Sequence, residues 1–203
     1  MGKVIVNEFL SLDGVMQSPG YDGEDTRGGF RHGGWQPSYF DDAAGQAVIG
    51  GIQAAGGLLL GRRTYEIFAG WWPNQPADDP LAPTLNALQK YVASRTLKEP
   101  LEWENSMLLG DIANDVAKLK EQRGGDLLVI GSGELVKTLM EHDLVDEYRL
   151  MIHPLVLGSG RRLFPDGSMK VPLQLVDSST TTKGVLILTY RPAATDAEGE
   201  GGR

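Results

Sequence analysis

The chain has 203 residues, 41% of them hydrophobic, and a formal net charge of −8 from 19 basic and 27 acidic residues. That length suits one sizeable domain and that composition a folded chain, while the acidic balance disfavours a general nucleic-acid or anionic-membrane binder but leaves room for a local basic pocket. Cysteine is absent, which excludes disulfides, thiol catalysis and Cys-ligated metals, and no apolar run approaches the ~20 residues of a membrane span. A soluble cytoplasmic globule with no nucleic-acid or membrane partner is expected.

In chain order, Val4-Ile5-Val6 reads as a central strand covered on both faces. A long loop from Met16 to Pro37 follows, with six glycines whose freedom would suit a lid. Ser38-Tyr39-Phe40-Asp41 reads as a capping box that opens a helix running to about Ala55. Leu58-Leu59-Leu60 is a buried strand, Arg62 to Phe68 begins a helix, and Leu81, Leu85 and Leu88 suggest a short helix before the strand Tyr91-Val92-Ala93. Met107-Leu108-Leu109 is a further strand, followed by an Asp111-capped helix with Ile112, Val116 and Leu119 on one face. Leu127 to Ile130 is the clearest buried strand and leads through Gly131-Ser132-Gly133 into a helix striped by Leu135, Val136, Leu139 and Met140. Glu147 to Ile152, Leu173 to Thr180 and Val185 to Tyr190 finish the chain as strands, the last two a hairpin through Lys183-Gly184. The expected organisation is one domain over residues 1–192 and a frayed tail over 193–203. The order predicts a three-layer αβα domain with a mostly parallel sheet and an antiparallel C-terminal hairpin, whose ligands lie beyond the carboxyl ends of the strands.

Three strand ends carry suggestive chemistry. Gly61-Arg62-Arg63-Thr64 combines a glycine, a helix start and two guanidiniums; Ser94-Arg95-Thr96 suits a phosphate monoester; Gly131-Ser132-Gly133 suits a pyrophosphate or a flat ring. Any one of the arginines could be a solvated surface charge. Together the three describe a pocket for a ligand with several phosphates. Better-known motifs fail: Val136 replaces the third glycine of a dinucleotide fingerprint and the second of a P-loop, and Ile130 occupies the first glycine position of a serine-hydrolase elbow. His32, His142 and His153 are too dispersed for a metal site.

Ser11-Leu12-Asp13-Gly14, LLLGRRTYE (Leu58 to Glu66), YVASRTL (Tyr91 to Leu97), LLVIGSGELVKTL (Leu127 to Leu139) and DEYRLMIHPLVLGSGRRLF (Asp146 to Phe164) occur in an order that resembles the dihydrofolate reductase superfamily. The resemblance is to the branch containing the reductase domain of the bifunctional riboflavin-biosynthesis deaminase-reductase, and it spans roughly residues 3 to 191. It implies an NADPH-binding fold, with Gly61 to Thr64 on the cofactor's phosphates, Ser94, Arg95 and Thr96 in the segment that recognises the 2′-phosphate, and Gly131, Ser132, Gly133, Glu134 and Leu135 against the pyrophosphate and nicotinamide ribose. On the substrate side it implies an acid near the first long helix, where Asp41 stands and Asp42 is equally available, unless Asp41 is simply the capping acid. Asp13 would border the substrate unless it is a turn residue, and Trp35 and Tyr65 would stack on a heterocycle unless they pack in the core. PLVLGSG (Pro154 to Gly160) is either the far pocket wall or a turn. The activity implied is hydride transfer from NADPH to a small pterin-, pyrimidine- or flavin-precursor-like heterocycle. A dinucleotide-binding sensor without turnover is the alternative, and a phosphate-ester hydrolase lacks a metal constellation. Relatives of this branch are commonly dimers, which would place strand Val185 to Tyr190 near a subunit interface, unless that sheet edge is covered within the chain.

Overall fold

A computed structural model of the chain describes residues 1–122 and 125–193. The first strand, β1 (Val4–Ser11), is central, and its side chains alternate: Val4, Val6 and Leu10 enter one apolar cluster and Ile5 another on the opposite face. The same alternation splits β2 (Ala55–Gly61), with Leu59 facing one way and Leu58 and Leu60 the other, all three fully buried. Such double-sided burial is what a parallel sheet covered by helices requires.

The remaining strands are β3 (Lys90–Ala93), β4 (Ser106–Leu109), β5 (Asp126–Ile130), β6 (Glu147–His153), β7 (Leu173–Thr180) and β8 (Leu186–Pro192), and the sheet order is β4-β3-β2-β5-β1-β6-β8-β7. From β4 to β6 every pairing is parallel; β8 is antiparallel to both β6 and β7. Helices α1 (Asp42–Gln53), α2 (Arg62–Trp71) and α3 (Ala82–Ala87) pack their apolar sides on one face, through Val48, Ile52, Tyr65 and Leu85. Helices α4 (Ile112–Gln122) and α5 (Gly133–Glu141) cover the other, through Val116, Leu135, Val136 and Leu139. This is the expected three-layer dihydrofolate-reductase-like α/β fold with its antiparallel finish.

Four details differ from the sequence reading. Helix α1 begins at Asp42, not at Ser38: Pro37–Tyr39 form a 3-10 turn, Phe40 is extended, and Asp41 is the N-cap, its carboxylate accepting from Ala44 N at 3.0 Å. The long glycine-rich loop is bonded within itself, an internal order that its glycine content did not signal. Gln17 Nε2 donates to the carbonyls of Asp25 and Arg27, Trp35 Nε1 donates to Gln17 O at 2.9 Å, and Arg27 pairs with Asp25 at 2.6 Å. Two of its glycines, Gly33 and Gly34, are tightly packed: Gly34 has φ +71°, and a β-carbon there would stand 3.0 Å from Asp22 N. The strand expected near a subunit interface is flanked on both sides, by β6 and β7, so the sheet's open edges belong to β7 at this end and β4 at the other. Finally, Ala193, expected to begin the tail, donates its N–H to Pro172 O at 2.9 Å, and the rest of that tail, 194–203, lies outside the described residues.

Candidate active site

The carboxyl ends of β1, β2, β3 and β5 open into one cavity of about 1190 Å³. All three strand-end segments singled out from sequence line it: Gly61 to Thr64, Ser94 to Thr96, and Gly131 to Leu135. Sheet order explains the convergence, because β3, β2 and β5 are consecutive neighbours, so residues 61–64, 94–96 and 131–135 sit side by side although up to 74 positions apart in sequence.

Ser132 ties two of these segments together. Its Oγ accepts from Gly61 N at 2.9 Å and donates to Ile130 O at 3.1 Å, while its own N–H donates to Thr64 Oγ1 at 3.0 Å. The turn needs glycine beside it: Gly131 has φ +59°, and a β-carbon there would stand 2.9 Å from Thr64 Oγ1. Ser94 shapes the third segment, its Oγ accepting from the N–H groups of Thr96 and Leu97. These hydroxyls therefore hold the wall. Neither the Gly61 cap of α2 nor the Ser132 cap of α5 supplies a side-chain hydrogen bond to its helix, so both helix starts offer amide donors and positive dipole ends at the cavity. Arg62 and Arg63 flank one of them and are half-exposed, sharing Glu66 at 3.3 and 3.8 Å; Arg95 stands on the third segment. On a chain of charge −8 this is a concentrated patch of positive charge and backbone donors, a donor set that fits the phosphates of a dinucleotide.

The residues proposed for the substrate side stand elsewhere, and none of the four lines the cavity. Asp41 caps α1, accepts from Thr182 Oγ1 at 2.6 Å, and is lowered to about 2 chiefly by that hydroxyl, so it holds no proton to give near neutral pH. Asp13 is a latch: its carboxylate accepts from Ser11 Oγ at 2.6 Å and from Leu157 N and Gly158 N, which likewise lower it to about 2. The segment Pro154 to Gly160 is thus held to the end of β1, and only its last residue, Gly160, reaches the cavity. Trp35 belongs to a small apolar cluster with Val15 and Phe30. Tyr65 is buried against Trp103, and its hydroxyl accepts from Trp103 N at 2.9 Å. In each case packing or capping prevailed over the functional reading.

Two features of the cavity were missed. Part of its lining is apolar, from Phe9, Val48, Ile52, Phe68 and Leu85 of β1, α1, α2 and α3, and Tyr21 of the long loop stacks on Trp71 of α2 at 4.9 Å, both also lining the cavity. The other is Glu8, in the middle of β1, buried and lining the cavity. The signal was present: an acid between Val6 and Phe9, in a strand read as covered on both faces, has nowhere to go but inside. Among the described residues no cluster of three or more His, Cys, Asp or Glu could hold a metal ion, and no helix is long and apolar enough to cross a membrane.

An α/β sheet with a phosphate-ready wall at its strand ends defines the class, and comparison with known proteins gives the family. The sequence model of the RibD C-terminal domain matches residues 2–187, and the chain belongs to that family, within the dihydrofolate-reductase-like superfamily. Protein YyaP of Bacillus subtilis is 33% identical over 136 residues, covering 66% of this chain and 72% of that protein. A second B. subtilis protein, YwjB, is 29% identical over 119 residues, covering 58% of this chain and 63% of its own. Among solved structures, a Shewanella sp. PV-4 protein named for riboflavin biosynthesis superposes with a TM-score of 0.70 at 24% identity, covering 95% of this chain and 99% of that one. A pyrimidine reductase-like protein from Corynebacterium diphtheriae gives 0.61 at 12% identity, with 95% and 92% covered. RibD of Acinetobacter baumannii gives 0.64 at 15% identity; there the match covers 95% of this chain and only 58% of the longer protein. At such identities the structural likenesses establish the fold.

Proposed function

We propose that this protein is an NADPH-dependent reductase acting on a small heterocycle of the pyrimidine, pterin or flavin-precursor kind. The observation that carries this reading is the convergence of Gly61 to Thr64, Ser94 to Thr96 and Gly131 to Leu135 on one wall of a single cavity. Membership of the RibD C-terminal domain family supports it, as does the name of the C. diphtheriae structural neighbour. Arg62, Arg63 and Arg95, with the amides at the starts of α2 and α5, would hold the dinucleotide's phosphates. When bound, a reduced nicotinamide supplies the hydride; the protein supplies position and electrostatics. The apolar lining, with Phe9, Val48, Ile52 and Phe68 from one side of the sheet and Met16 and Leu135 from the other, would exclude water from a flat ring held between them.

The test separates NADPH from NADH. Replacing Arg95 by Ala should weaken NADPH by about 10–100-fold, the worth of a charge-assisted hydrogen-bonded contact to a phosphate, and NADH by less than about twofold. Calorimetric titration of the wild type and variant checks this; equal losses for both cofactors would defeat the assignment of Arg95 to the 2′-phosphate. Following NADPH absorbance with pterins, pyrimidines and flavin precursors then separates turnover from binding alone.

A further inference from the structure

We propose that Glu8 is the proton donor of this cavity, presenting a carboxylic O–H to the ring nitrogen of a reducible C=N bond. The inference deepens the reductase reading and rests on it. Glu8 is 2% exposed, lines the cavity, and leaves Oε1 buried without a hydrogen-bond partner. Buried polar atoms in folded proteins are almost always paired, so an unpaired one on a cavity wall marks a place where a ligand completes the pairing. Its position in the sheet is apt. Asn7 pairs with Ile130, the last residue of β5, so Glu8 is level with the glycine turn; and β1 lies beyond β5 from β2 and β3, which carry the arginines. By strand alternation the Glu8 side chain shares the face of Val6 and Leu10, the α5 side, where Leu135 also lines the cavity.

Burial alone holds this carboxyl well above the ordinary range, with no charged neighbour contributing, which favours the protonated form that can donate. A neutral acid can donate; Asp13 and Asp41, both lowered to about 2, cannot. In the step, hydride from the dihydronicotinamide forms a C–H bond at the carbon of C=N. The π electron pair moves to nitrogen, which takes the proton from Glu8. The nicotinamide is oxidised, the C=N becomes CH–NH, and the Glu8 carboxylate, disfavoured where it is buried, recovers its proton from water.

Infrared spectroscopy at neutral pH tests this with the full chain and NADP⁺ as probe. The wild type should show the C=O stretch of a neutral carboxylic acid, moved by ¹³C-glutamate labelling, lost in Glu8→Gln, and shifted when NADP⁺ binds. Labelling assigns the band to a glutamic acid even where the variant folds poorly. The variant should bind NADPH within about threefold of wild type, and reduce any heterocycle the wild type accepts with kcat lower by about 10²–10⁴-fold. A wild type that binds NADPH yet shows no such band, or keeps it in Glu8→Gln, defeats this proposal alone. A wild type that binds no NADPH defeats the reductase reading, and this proposal with it.

Discussion

The two ends of the cavity floor are built on opposite plans. At the ends of β2 and β5, hydrogen bonds close on one another: Ser132 joins Gly61, Ile130 and Thr64, and what is left for a ligand is amide donors and guanidiniums at the rim. At β1 a single carboxyl is buried with one oxygen unpaired. The first plan makes a rigid, preorganised surface for anions, whose charges are fully paid for by the ligand's own. The second keeps a group in an unfavourable state, which is how proteins shift a pKa toward the working range. On the proposed reading, binding and reactivity would fall to different strands of one sheet.

The largest expected effect breaks the first plan. Gly131→Val forces a β-branched residue into a left-handed backbone and drives its β-carbon against Thr64 Oγ1, 2.9 Å away. Strain and overpacking together should cost roughly 2–5 kcal/mol, read by urea denaturation. NADPH binding should be lost while the apolar wall from α1 and α3 remains. A variant with wild-type stability and affinity would show that the Gly131–Thr64 contact is not what shapes this end.

That contrast also explains what the sequence could reveal. The three strand-end segments that line the cavity are contiguous stretches of glycine, hydroxyl and arginine that follow recognisable apolar strands, so local pattern exposed them. Their convergence needed only the parallel sheet. The substrate side is assembled by long-range packing. Asp41 and Asp13 carry the right chemistry, but Thr182 and the amides of Leu157 and Gly158, some 140 residues away, absorb their carboxylates. Tyr65 reaches the core because Trp103, 38 positions on, offers its N–H. No local window contains those partners. Glu8 was passed over for the converse reason: what singles it out is a partner it does not have, and only the assembled structure can display an absence.

Alkaline titration sharpens the comparison from beneath each half. Lys90, at the start of β3, is fully buried, donates to Asn86 O and Glu104 O, and lies 4.2 Å over the Trp103 ring; burial pushes its pKa down to about 8. The unfolded chain keeps that proton up to 10.5, so between pH 8 and 10 it binds more protons than the folded one, and stability rises with pH. Tyr148, in β6, is pushed up to about 12 by burial. There the folded state holds the proton longer, so stability falls as pH climbs beyond 10. Urea midpoints across this range should pass through a maximum. Lys90→Met should remove the rising limb and leave the falling one.

The smallest effect concerns the charge at the rim. Glu66, one turn into α2, pairs with Arg62 at 3.3 Å and Arg63 at 3.8 Å, and all three side chains are partly exposed. Exposed pairs of this kind contribute little to folding, so Glu66→Gln should alter stability by no more than about 0.5 kcal/mol. Its effect on the ligand has the opposite sense. A carboxylate beside two guanidiniums cancels part of their field, and a phosphate bound there would compete with it for the same N–H groups. Removing that charge should tighten NADPH by roughly 2–5-fold at low salt, with the gain shrinking as salt screens it. Since Glu8 lies across the glycine turn on another strand, the same substitution should leave its infrared band in place, and a shift of that band would mean that the two ends of the floor are electrostatically one.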